Sequence, residues 1–187
     1  MKHTAALVLA LFWAGPAAAH GFGGSGLLHP LTGPDHMLAM ISVGAWSAQI
    51  GGRAIWAVPA AFLAAIAFGG VFGMTGVVLP WTEVASALSV VLLGFAVLAA
   101  RPTTWPFAVF AVLLFGVAHG LAHGLEFPRA SNPGTYVAGF LATTAGLHVV
   151  GMVGALLILD CNRGDLLLRR LGGIVALVGL GLFVPQI

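Results

Sequence analysis

Charge is the scarcest property of this chain. Seven basic and five acidic side chains make up 6% of 187 residues, where a soluble domain carries about 25%. So few charges cannot cover a water-facing surface, and a mean hydropathy of +1.07 with 60% apolar residues points to an all-α integral membrane protein. The near balance of the charges leaves neither a nucleic-acid footprint nor a polybasic membrane patch. Lysine occurs once, at Lys2, and no GxxxxGK[ST] loop exists, so the chain is no ATP-driven pump by itself. Cysteine also occurs once. Cys161 excludes an intrachain disulfide and any thiolate-rich metal trap.

What is abundant is apolar sequence cut by Gly, Pro and a few arginines. Residues 1–19 have the form of a cleavable signal peptide: Lys2 and His3, an apolar run from Ala5 to Ala14, then Pro16 and three alanines before His20. Cleavage there makes His20 the mature N-terminus, where amine and imidazole together can chelate a metal. Six apolar segments follow, near Thr32–Gln49, Ala54–Met74, Glu83–Ala100, Trp105–Leu125, Thr135–Leu159 and Leu171–Gln186. Each approaches the roughly 20 residues that cross a bilayer as a helix. The expected domain is therefore one six-helix transmembrane bundle over residues 20–187. With the mature N-terminus outside, the inner loops hold Arg53, Arg101, Arg163, Arg169 and Arg170 and the outer loops only Arg129. That is the positive-inside bias, and it places both termini on the periplasmic side of a bacterial inner membrane.

Against this apolar background, ligand-type side chains stand in two clusters. His119, His123 and Glu126 are spaced i, i+4, i+7, so two imidazoles and a carboxylate share one helix face. His29 precedes Asp35 and His36 across a turn bracketed by Pro30 and Pro34, with Pro34 suited to a first helical turn. Asp35 then lies where the helix dipole favours a negative charge. In the six-span topology the two clusters fall at the same depth near the outer surface, with His119 about a turn deeper. His148 marks a deeper position still, with Thr144 one turn above it. Interhelical hydrogen bonding is the ordinary use of polar groups in a membrane bundle. It accounts for a lone histidine more readily than for six convergent ligand-type residues. Met37 and Met40 are expected to pack.

At these residues the sequence resembles the HupE/UreJ family of nickel permeases. His29, five residues, then Asp35-His36 looks like that family's HX5DH motif, and His119-Gly120-Leu121-Ala122-His123-Gly124-Leu125-Glu126 is similar to its HGxAHGxE motif. The family's layout of signal peptide and six helices also matches. A Phe precedes the first His of the family motif, whereas this chain has Ala118, a position that bears on packing. The resemblance implies nickel supply to metalloenzyme maturation, with cobalt as a further cargo.

The function expected is a permease that moves a divalent transition metal, nickel first and cobalt or zinc next, by facilitated diffusion or secondary transport. Its site residues are His29, Asp35, His36, His119, His123 and Glu126, with His20 and His148 as further ligands. The partners are the ion and the bilayer, no enzyme cofactor is implied, and assembly into a homo-oligomer stays open. The chief alternative is an intramembrane zinc hydrolase built on the same His, Asp and Glu set with an open position for water. Haem held by paired histidines would leave Asp35 and Glu126 unexplained. Ligand types alone do not separate nickel, cobalt and zinc.

Overall fold

Residues 26–127 and 132–184 are described by a computed structural model. Residues 1–25, and with them the signal-peptide expectation and His20, lie outside the described residues. Among the described residues the chain forms seven helices and no strand: α1 His29–Thr32, α2 Pro34–Ile50, α3 Ala54–Met74, α4 Thr82–Ala99, α5 Trp105–Leu125, α6 Pro133–Leu159 and α7 Gly164–Phe183.

Five of these, α3 to α7, are long and apolar enough to cross a membrane. The first apolar segment is the exception to the expected six. It divides at Gly33, whose extended backbone (ψ 115°) separates the four-residue α1 from α2. At its other end Gly51 stops the helix with φ 78°. The result is a 17-residue helix, about 25 Å long at 1.5 Å per residue. The last segment departs the other way. It starts at Gly164 and not at Leu171, because the Arg169-Arg170 pair continues the helix. Arg169 donates from Nε to the Leu98 carbonyl at 2.9 Å, serving one of the carbonyls that the end of α4 leaves without an intrahelical partner.

The short helix is the centre of the bundle. From Ala39 to Ala48 α2 is buried almost without interruption, as befits a helix that is apolar all round. It packs against α3, α4 and α6 and touches α5 and α7. The other helices bury one side and turn Trp56, Phe68, Phe107, Phe110 and Leu177 outward. Apolar side chains on both the inner and outer surfaces are what a multi-pass membrane bundle requires.

Close backbone contact joins the helices in pairs: α3 with α5, α4 with α7, and α2 with α6. The seam between α3 and α5 consists of glycine. A Cβ on Gly120 would collide with the Ile66 carbonyl oxygen and one on Gly124 with that of Gly70. Small residues at this spacing let two backbones meet where lipid supplies no hydrophobic drive. The consequence for the site is direct, since these glycines follow His119 and His123 in the chain. Gly120→Val should therefore destabilise the bundle by about 1–3 kcal/mol through overpacking. Thermal unfolding in detergent should show it, with Gly146→Ala as the control, because a Cβ there meets nothing within 4 Å. Equal unfolding temperatures would refute the seam.

Candidate metal centre

The first turn of α2 and the last turns of α5 supply the cluster. Pro34 occupies the start of α2, and Asp35 and His36 follow within its first turn. Gly33 makes room for both. A side chain there would begin 2.8 Å from the His36 ring and 3.0 Å from the Asp35 carboxylate. On α5, His119 and His123 project from the same face one turn apart, toward α2.

Three imidazoles meet at one atom. His36 Nδ1 lies 2.6 Å from His119 Nδ1 and 2.9 Å from His123 Nε2. The rings of His36 and His123 are 3.8 Å apart between centroids and those of His36 and His119 4.6 Å. Carboxylates flank the group from the far sides: Asp35 is 3.7 Å from His36 Nε2, and Glu126 is 3.8 Å from His123 Nδ1. Exposure falls along this series. Glu126 is 60% exposed, Asp35 28%, His36 12%, His123 4% and His119 0%. The cluster thus has a polar mouth and a sealed floor.

A fourth helix fixes the deepest ring. Ser89 on α4 donates its hydroxyl proton to the Ser86 carbonyl at 2.6 Å and sits 2.7 Å from His119 Nε2. A hydroxyl has one proton to give, so Ser89 Oγ accepts from His119, whose proton is assigned to Nε2. His119 Nδ1 then turns a lone pair toward His36. One proton at most can lie on His36 Nδ1, yet two neighbouring nitrogens crowd that atom.

The spacing is that of hydrogen bonds and not of coordination. Two ligands of one tetrahedral metal at about 2.0–2.1 Å stand about 3.4 Å apart, farther than these nitrogens do. Accordingly, among the described residues no group of three or more His, Cys, Asp or Glu is set to hold an ion as it stands. Entry of a metal would spread the rings by about half an ångström or more.

Of the residues expected in the site, His36, His119 and His123 are in mutual contact, with Asp35 and Glu126 beside them. His29 lies in α1, four residues before Gly33. His148 stands apart on α6, buried and outside the cluster. Sequence reasoning missed Ser89, Phe62 and Phe140. Phe140 packs edge-on against His123 at 4.5 Å, and Phe62 lies 5.8 Å from His119. Ser86 and Ser89 were legible in principle as two hydroxyls on one face of an otherwise apolar helix. Met40 packs in the core as expected, and so does Ala118, 2% exposed.

Two hollows approach this axis. One, a small cavity of about 20 Å³ between α3, α5 and α6, reaches His123 past Gly70, Met74, Gly124 and Tyr136. The other, about 570 Å³, opens at the opposite end between residues 50–53 and 103–106.

Fold and site together define a class: a multi-pass helical membrane protein with an imidazole cluster buried near one end. The family model described as HupE / UreJ protein matches residues 4–182. The chain is also 43% identical over 176 residues to Protein HupE of Rhizobium leguminosarum bv. viciae, covering 90% of this chain and 92% of that one. The chain belongs to the HupE/UreJ family. No solved structure matches it significantly.

The hydroxyl under His119 offers a test of the site. Ser89→Ala should weaken nickel binding by about 10- to 100-fold, the usual effect of removing a group that orients a ligand. Calorimetric titration of the purified protein measures this, and Ser89→Thr should restore it. Unchanged affinity in Ser89→Ala would show that His119 needs no such support.

Proposed function

We propose that this protein is a permease for divalent transition metals, nickel foremost, that admits the ion at the Glu126 end of the bundle and releases it at the arginine end. The observation that carries the reading is the convergence of His36, His119 and His123 on one point, with Asp35 and Glu126 at its mouth. Carboxylates attract a hydrated cation, and imidazoles replace its water. The falling exposure from Glu126 to His119 gives the exchange a direction. Imidazole and carboxylate hold a borderline metal without the retention of a thiolate set, as conduction demands. Membership of a transporter-type family supports transport over catalysis, and no observation favours the zinc hydrolase.

In this reading α2 is the sixth span, shortened to 17 residues by the glycines at its two ends. Arg53, Arg101, Arg163, Arg169 and Arg170 gather at the ends of helices opposite the cluster, which supports an inner, cytoplasmic assignment for that end. The cluster then faces the periplasm, with both termini on that side after cleavage of residues 1–19. His20 and His29 serve as further ligands, and cobalt and zinc are lesser cargoes. Entry is by facilitated diffusion or secondary transport, and the ion serves metalloenzyme maturation.

Flux into proteoliposomes loaded with a metal-sensing dye tests this. Wild type should show saturable nickel entry, and His36→Ala and His123→Ala should each lower it by at least about tenfold, as loss of a direct ligand implies. Tight binding without flux, in vesicles of verified orientation, would overturn the permease.

A further inference from the structure

His148 takes no part in the cluster, yet its position needs an explanation. It lies on α6, 2% exposed, and neither Nδ1 nor Nε2 has a hydrogen-bond partner. Buried polar groups are paired in the great majority of cases, and leaving two ring nitrogens orphaned in an apolar core is unfavourable. Thr144, one turn before it, spends its hydroxyl proton on the Phe140 carbonyl at 2.9 Å. On the opposite side, Gly44 of α2 presses against the backbone of His148, so the central helix brings no side chain there at that position. The imidazole is held in place with its one lone-pair nitrogen unused.

What His148 does touch is Phe62. The two rings are 5.2 Å apart between centroids and nearly perpendicular, at 82°. The same phenyl ring lies 5.8 Å from His119, the deepest imidazole of the cluster. Phe62 is 0% exposed and is the bulkiest of the fully buried side chains described. Among the described residues, no hydrogen bond or ring contact joins His119 to His148. An apolar ring therefore touches the floor of one imidazole group and the face of the next, which is the form of a hydrophobic constriction.

We propose that His148 is an inner station for a borderline divalent cation such as nickel or cobalt, and that the Phe62 ring is the barrier between it and the outer cluster. A hydrated ion cannot pass a close-packed phenyl. An ion partly stripped of water at His119 passes only when the ring swings aside, and it then meets the unprotonated ring nitrogen of His148, which has no other partner. The aromatic face stabilises a cation in transit. The direction of travel rests on the permease reading; the existence of two stations does not.

Cobalt, whose visible absorption reports its ligands, is the probe. The purified full chain should bind two Co2+ ions, and His148→Gln should bind one while keeping the absorption band of the outer cluster. In oriented vesicles with Co2+ added at the cluster side, loading should have a fast and a slow phase. Phe62→Ala and the gentler Phe62→Leu should speed the slow phase, the former by about tenfold, which corresponds to about 1.4 kcal/mol off the barrier. A single ion in the wild type, two ions in His148→Gln, or a slow phase unchanged in both Phe62 variants would overturn the proposal. Two bound ions with no transmembrane flux would sink the permease and leave both stations standing. Flux with one bound ion would do the reverse.

Discussion

The meeting of His36 with His119 and His123 constrains everything around it. Imidazoles within an apolar bundle need partners, and here they find one another across a helix interface. Contact at 2.6–2.9 Å between side chains of α2 and α5 requires α2 to sit inside the bundle, and it does. It also requires α5 to hold its histidine face steady, which the glycine seam with α3 achieves by packing the adjacent face of α5 backbone to backbone. Gly120 and Gly124 thus belong to the site as much as the histidines they follow, since they locate the helix that carries the rings. Ser89 adds the last constraint, on the orientation and tautomer of His119.

Much of this arrangement is written in local sequence. The i, i+4, i+7 spacing of His119, His123 and Glu126 needs only a helix to face one way, and the apolar context makes a helix certain in lipid. Pro34 and Asp35 mark the start of α2 for reasons of backbone and dipole that no tertiary contact alters. The bounds of α3 and α5 follow equally from where the apolar runs stop. Other features depend on partners that the sequence does not name. That α2 is central and short reflects the two glycines at its ends and the six helices it touches. The early start of α7 depends on Arg169 reaching a carbonyl 71 positions away. Ser89 and Phe62 matter through residues 30 and 57 positions distant; the Ser86–Ser89 pair leaves a local trace in its helix, whereas nothing around Phe62 sets it apart from packing.

The clusters also gain meaning from what surrounds them. A resident structural metal is usually enclosed by a complete ligand shell. Here the shell is graded: an exposed carboxylate, a half-buried one, a nearly buried imidazole and a sealed one, in that order. A gradient of this kind suits an ion that arrives hydrated and sheds water by steps. Its hydrogen-bonded nitrogens sit too close together to be metal ligands already in place, so admission of an ion must part the rings, by side-chain rotation or by a shift of α2 against α5. The glycine seam holds α5 to α3 and α2 lies against α6, so the cluster spans two such pairs. An opening between them would spread the rings without breaking either seam.

That last point bears on how selectivity and throughput coexist. Rings that must part to admit a cation charge an entry cost, which only an ion that forms strong bonds to imidazole nitrogen repays. Magnesium, with its preference for oxygen and its reluctance to lose water, gains little from the exchange. The same bonds would trap a transition metal if the outer cluster were the whole path. In the proposed two-station path, a second imidazole beyond an apolar ring would lower the exit from the first site without exposing the ion to bulk water on both sides at once. Selection at the mouth and release at the floor are then separate physical events, carried by different helices, and neither has to be weakened for the other to work.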